Sequence, residues 1–213
     1  MALFDEKIRQ QLRDILKNMK DAVNLSFFTQ EFECWPCTDV HEFVKELASL
    51  TDTIKLSVFD FQKDKARADK FRVDKIPAIV LNGKDNAYAG IKYYGLPGGY
   101  EINSFIQDMI ELSGRKEPLP AAIASRIAAI SKKVHLQVYV TLTCPFCPGA
   151  VAVAHRLAQE SAMVEADMID VSLFPYLGQR YQVTSVPMTI INETHSLVGV
   201  QPMENILDVI KKL

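Results

Sequence analysis

Apolar positions along the chain change rhythm in an ordered way. Between residues 5 and 19, Ile8, Leu12, Ile15, Leu16 and Met19 recur at helical spacing, which predicts an amphipathic helix. Residues 23–30 are rich in β-branched and aromatic side chains and read as a strand. A helix is predicted over 37–50, with Val40, Phe43, Val44 and Leu47 on one face. A strand over 54–60, a helix over 63–72, strands over 77–82 and 89–94 and a helix over 101–112 follow. The same order then recurs: helix 121–131, strand 134–141, helix 147–160, strand 164–170, helix 173–181, strands 187–192 and 196–200, helix 203–212. Each half is βαβ followed by ββα with an extra helix in front, an α/β class with a mixed central sheet.

The recurrence is exact enough to number. Cys144 and Cys147 stand 110 positions after Cys34 and Cys37, and the same offset links Asp60 to Asp170, Phe71 to Tyr181, Val73 to Val183, Ile76-Pro77 to Val186-Pro187 and Asn82 to Asn192. Between the copies, Ser113-Gly114-Arg115-Lys116-Glu117-Pro118-Leu119-Pro120 combines a helix stop, charges and prolines, as a linker does. The expected units are therefore residues 1–115 and 116–213.

The chain has 213 residues, 48% of them hydrophobic and 23% charged, enough to build a core in each half. A net charge of -2 gives no reason to expect nucleic acid or an acidic membrane surface as partner. Apolar runs such as Ile76-Pro77-Ala78-Ile79-Val80-Leu81 are strand-sized, far short of the roughly 20 residues of a membrane helix. Asp5 and Glu6, with no apolar core after them, read against a signal peptide, so a cytoplasmic location is expected.

All four cysteines fall in the two C-x-x-C pairs. Each pair lies where a strand gives way to a helix. There the first sulfur meets unsatisfied N–H groups and the positive end of the helix dipole, which favour a thiolate. The second cysteine, one turn on, can attack a mixed disulfide from within. Cys34 and Cys144 are thus the expected nucleophiles, Cys37 and Cys147 the resolving thiols. Pro77 and Pro187 each open a strand 43 positions after the nucleophile, and cis Ile76–Pro77 and Val186–Pro187 bonds are expected. The backbone groups of Ile76 and Val186 would then be open to an extended substrate chain. The rival chemistry is a four-cysteine zinc site, but zinc-ribbon pairs usually lie much closer in sequence. No metal and no cofactor beyond the redox cysteines is therefore expected. Trp35 reads equally as a substrate-facing aromatic or a packed residue. Asp60 and Asp170 read as caps, and His41 and His155 as surface or packing residues.

With these residues in view, the chain resembles the thioredoxin and glutaredoxin fold. Doubled, with both pairs intact, it is similar to the protein disulfide oxidoreductase family of thermophilic prokaryotes, sometimes called glutaredoxin-like. Cys144-Pro145-Phe146-Cys147 is close to the glutaredoxin C-P-Y-C, while Cys34-Trp35-Pro36-Cys37 has its proline second, as thioredoxin does. The resemblance implies two tandem thioredoxin/glutaredoxin-like units that exchange disulfides with protein substrates and are recharged by a thioredoxin-reductase-like flavoenzyme. An alternative is an electron carrier to a peroxiredoxin, because the doubled fold also resembles the N-terminal region of the alkyl hydroperoxide reductase flavoprotein. Thioredoxin's buried Asp, six positions before its nucleophile, is replaced here by Phe28 and Val138. Glu31 and Glu33 lie near the first pair. Gly98-Gly99 resembles the pair that opens the last helix of glutathione-binding glutaredoxins, and the second half lacks it.

Overall fold

A computed structural model describes residues 3–30 and 32–213. Glu31 lies outside the described residues. The chain separates into two compact units: Met1–Tyr88, Tyr93–Leu96 and Met109–Lys116 form one, and Ala89–Lys92, Pro97–Asp108 and Glu117–Leu213 the other.

The first unit holds α1 (Glu6–Leu16), β1 (Val23–Thr29), α2 (Cys37–Ala48), β2 (Ile54–Asp60), α3 (Lys65–Lys70) and β3 (Ala78–Asn82). Strand β4 (Tyr88–Tyr94) and helix α4 (Ile102–Leu112) follow, and each contributes residues to both units. The second unit holds α5 (Ala121–Ala128), β5 (Val134–Val140), α6 (Cys147–Glu160), β6 (Val164–Asp170), α7 (Pro175–Arg180), β7 (Met188–Ile191), β8 (His195–Val198) and α8 (Met203–Ile210). Short 3-10 turns occupy Lys84–Asn86 and Gly99–Glu101. Every helix and strand expected from the sequence is present; β2, α6 and β6 have the expected bounds, β4 begins one residue earlier, β8 is shifted, and the others are shorter by a few residues at their ends, where helices fray and capping decides. Helix α1, for example, starts where Asp5 accepts the Ile8 N–H at 2.8 Å.

The strands of each unit form a mixed sheet flanked by helices. In the first unit β1 runs parallel to β2 and antiparallel to β3. In the second, β5 has the same relation to β6 and β7, and β8 adds an antiparallel edge. Because helices cover both faces, the central strands are buried almost throughout rather than alternately: Leu25, Phe27 and Phe28 in β1, and Leu136, Val138, Tyr139 and Val140 in β5, are fully inaccessible.

The register refines the repeat. Val23 pairs with Ile54, but Val134 pairs with Val164, so β1 and β5 are related by 111 positions whereas the stretch from the cysteines through Asn82 and Asn192 keeps 110. The first unit carries one extra residue in the loop between β1 and Cys34. That loop contains Glu33, whose backbone is left-handed (φ 60°). The position matched to Val138 is consequently Phe27 rather than Phe28. No acid stands at any of these positions, and all three side chains belong to the apolar core.

The second unit also encloses charge. Lys92 Nζ lies 3.1 Å from Glu165 and 3.2 Å from Asp167, whose other oxygen lies 2.7 Å from His135 Nε2. The partnered arrangement is what makes a buried lysine tolerable in a strand.

Candidate active sites at the two strand-to-helix junctions

At the first junction β1 ends at Thr29, the loop turns, and α2 begins at Cys37. Cys34 and Cys37 are joined at 2.04 Å with their Cα atoms 5.4 Å apart. Cys37 is buried and Cys34 partly open. The Cys37 N–H donates to the Cys34 carbonyl oxygen at 3.1 Å. Trp35 is 79% exposed and Phe32 is also exposed, which makes Trp35 a surface aromatic beside the disulfide. Ile76–Pro77 is cis. Phe28 pairs with Ala78, so Pro77 stands level with the end of β1, where the cysteine loop leaves.

At the second junction β5 ends at Val140 and α6 begins at Cys147. Cys144 and Cys147 are also joined, at 2.31 Å with Cα atoms 5.5 Å apart. Here the Cys147 N–H points at the Cys144 sulfur, 3.1 Å away. The helix terminus thus delivers its donor to the atom that would carry the negative charge after reduction. Cys144 Sγ also lies 3.8 Å from the Val186 carbonyl oxygen. Val186–Pro187 is cis, and the pairing of Tyr139 with Met188 sets Pro187 level with Val140. Phe146, inside the motif, is exposed. Pro148 falls in the first turn of α6, where no intrahelical donor is lost.

The matched aspartates have diverged. Asp60 is partly exposed and caps the turn after β2, accepting from the Gln62 and Lys63 N–H groups at 3.0 and 2.8 Å. The Lys63 N–H holds its carboxyl below the ordinary range. Asp170 also caps a turn, accepting from the Ser172 N–H at 2.9 Å, but it is buried, and burial pushes its carboxyl up.

One acidic group near the second site was not legible in the sequence. Glu101 is fully buried, and desolvation pushes its carboxyl up to about 7 despite a hydrogen bond donated by Ser104 Oγ at 2.6 Å. Its turn lies against the loop that leads into Cys144, where the Tyr100 N–H donates to the Leu142 carbonyl oxygen at 3.1 Å. That approach explains Gly99. Its φ is +55°, and a Cβ built there would sit 2.2 Å from the Leu142 oxygen. The role of Gly99 is thus close backbone approach within the second unit. Gly99→Ala is expected to cost about 2 kcal/mol or more in urea unfolding, because the left-handed backbone and the backbone clash act together. A wild-type midpoint in that variant would show that the turn can move aside freely.

A strand running into a C-x-x-C at a helix N-terminus, with the sulfurs at bonding distance, occurs twice and defines a thioredoxin-fold redox protein. The thioredoxin domain family model matches residues 134–211. The NTD_N/C domain of alkylhydroperoxide reductase AhpF from Enterococcus faecalis (V583) is 32% identical with a TM-score of 0.91, over 97% of this chain and 99% of that one. A protein disulfide oxidoreductase from Aeropyrum pernix K1 is 26% identical with a TM-score of 0.89, over 99% of this chain and 94% of that one. Among curated relatives, an NADH dehydrogenase of Bacillus subtilis (strain 168) is 24% identical over 96% of this chain, which spans 37% of that protein's length. The chain belongs to the thioredoxin-fold family of redox-active disulfide oxidoreductases. Among the described residues no helix is long and apolar enough to cross a membrane.

Proposed function

We propose that the chain is a protein disulfide oxidoreductase, exchanging disulfides with protein partners through Cys34/Cys37 and Cys144/Cys147. The observation that carries this reading is the Cys147 N–H directed at Cys144 Sγ, 3.1 Å away at the start of α6. A thiolate formed there attacks a partner's disulfide, and the second cysteine resolves the mixed disulfide. In this reading Ile76 and Val186, next to Pro77 and Pro187, offer their backbone to the partner's extended chain. The cysteines need no further cofactor, and a thioredoxin-reductase-like flavoenzyme returns the electrons. Free dithiols of this kind belong in a reducing compartment, in keeping with the cytoplasm.

A second reading is an electron carrier to a peroxiredoxin. It is favoured by the 32% identity to the AhpF domain and by curated relatives of which this chain spans 37%. One experiment serves both. The chain, reduced with dithiothreitol and desalted, is mixed with insulin or with an oxidised peroxiredoxin, and thiol loss is followed. Reduction of insulin disulfides is expected, with NADPH-dependent turnover when a thioredoxin reductase is added. Reaction confined to the peroxiredoxin would select the carrier, and inertness toward both would end the thiol-exchange reading.

A further inference from the structure

The resolving sulfur of the first pair has to lose a proton before it can attack. Cys37 is 3% exposed, and a thiol removed from water gives up its proton reluctantly. The strand beneath it, β1, carries no ionisable side chain. One group is placed to take the proton. His41 stands at i+4 from Cys37 on α2, so their β carbons lie about 5–6 Å apart. Helical side chains lean back over the preceding turn, which brings the imidazole toward Cys37. The ring lies against Phe27 of β1, centroids 5.5 Å apart, and is partly open to solvent. Among the described residues its nitrogens have no hydrogen-bond or ion-pair partner. The other ionisable groups on the elements around it are engaged or turned to solvent. Glu42 and Lys45 of α2 pair at 3.9 Å, and Glu46 on the α1 side is held by Arg9 at 2.7 Å. Asp60, at the end of β2, is occupied by the Gln62 and Lys63 N–H groups, and Glu33 in the cysteine loop is exposed. The second unit has no equivalent imidazole. Val151 stands 110 positions after His41, at i+4 from Cys147, and is fully buried.

Resting on the dithiol–disulfide reading above, we propose that His41 is the proton acceptor for Cys37, the general base that frees the resolving thiol of the first site and has no counterpart at the second. The Cys34 thiolate first attacks a partner's disulfide, so that a bond forms between Cys34 and one partner sulfur while the other partner sulfur leaves as a thiolate. The neutral His41 imidazole then takes the proton of the Cys37 thiol, and the Cys37 sulfur attacks Cys34 Sγ. The Cys34–Cys37 bond forms, the bond from Cys34 to the partner breaks, and the departing partner thiolate recovers a proton from the imidazolium through solvent. Two electrons pass from the cysteine pair to the partner, and the imidazole ends as it began.

The test uses the full chain carrying Cys144→Ser and Cys147→Ser, so that only the first pair reacts. The reduced protein, in excess, is mixed rapidly with dithiobis(nitrobenzoate), and the two releases of coloured thiolate are timed from pH 5 to pH 9.5. The first release reports attack by Cys34, the second resolution by Cys37. In this parent the second rate is expected to be level around neutrality and to fall on acidification, as the imidazole takes up a proton from solvent. His41→Val, which installs the residue of the second unit, should lower the second rate about tenfold or more at pH 7 and leave the first rate unchanged. The variant's second rate should climb with pH and rejoin the parent at the alkaline end, where the thiol ionises unaided. An unchanged second rate at pH 7, or a loss of the same size at every pH, would overturn the proposal, the latter marking a packing role. If His41→Val does not fold, the parent profile decides alone. A level reach around neutrality supports the base, and a second rate proportional to hydroxide across the whole range refutes it. Failure of the thiol-exchange reading is separate, since it would show as absence of the first release.

Discussion

Cys144→Ser is expected to lower insulin-disulfide reduction by dithiothreitol about tenfold or more, and Cys34→Ser by about half or less. The ranking rests on what each helix terminus offers its first sulfur. At the second site the Cys147 N–H reaches Cys144 Sγ at 3.1 Å, whereas at the first the equivalent N–H of Cys37 is directed to the Cys34 carbonyl oxygen at the same distance. A hydrogen bond to a charged sulfur contributes about 1.5–3 kcal/mol, roughly ten- to hundredfold in thiolate population. Part of that gain is returned, because a better stabilised thiolate is a weaker nucleophile, but at neutral pH the larger population prevails. Trp35, exposed beside Cys34, adds an indole that an incoming chain must accommodate. The Cys34→Ser/Cys144→Ser double variant should be inactive. Equal losses in the two single variants would refute the ranking and leave the chemistry intact, and full activity in the double variant would defeat the mechanism.

The positions of the two cysteine pairs were legible because local signals agree there. Strand-like 23–30 and 134–141 each run directly into a C-x-x-C and then into helical periodicity, and the repeat doubles every such signal. The one-residue slip before Cys34 was not legible. A loop has no periodicity to break, so an insertion at residues 30–33 shows only in the pairing of β1 with β2. Glu101 escaped for a different reason. It stands at the start of the helix predicted over 101–112, just after Gly98-Gly99, and its burial depends on Leu142, distant in sequence, receiving the Tyr100 N–H. Hydrophobic pattern carries no record of such a pairing. His155 stood closer to recognition, since it occupies an apolar stripe two turns after Cys147, and a histidine in such a stripe calls for a buried partner. The partner, Asp108, lies 47 positions earlier on α4, so it could be found only in three dimensions. Lys92 is the same case on a strand, its burial compensated by Glu165 and Asp167 on β6.

Glu101→Gln should make the oxidised protein more stable than wild type by about 3 kcal/mol at pH 8, an advantage that fades on acidification and is gone near pH 4.5. The sign follows from proton binding. Burial raises the folded carboxyl from its ordinary 4.5 to about 7, so between those values the native state binds more protons than the unfolded chain. Stability contributed by the protonated acid is complete below pH 4.5 and is lost as pH rises through 7. Glutamine keeps the shape and an acceptor for the Ser104 hydroxyl but has no charge to desolvate. Its extra N–H groups could impose a penalty of about 1 kcal/mol if they find no acceptor, but that penalty is the same at every pH. Asp170, also raised by burial, contributes in the same direction in both proteins. The measurement is urea unfolding of both proteins at pH 5, 7 and 8.5, with the disulfides intact. Curves that stay parallel across that range would mean that Glu101 is solvated well enough to titrate as an ordinary surface acid. A difference that opens above pH 6 would place an unfavourable buried carboxylate in the second unit at working pH.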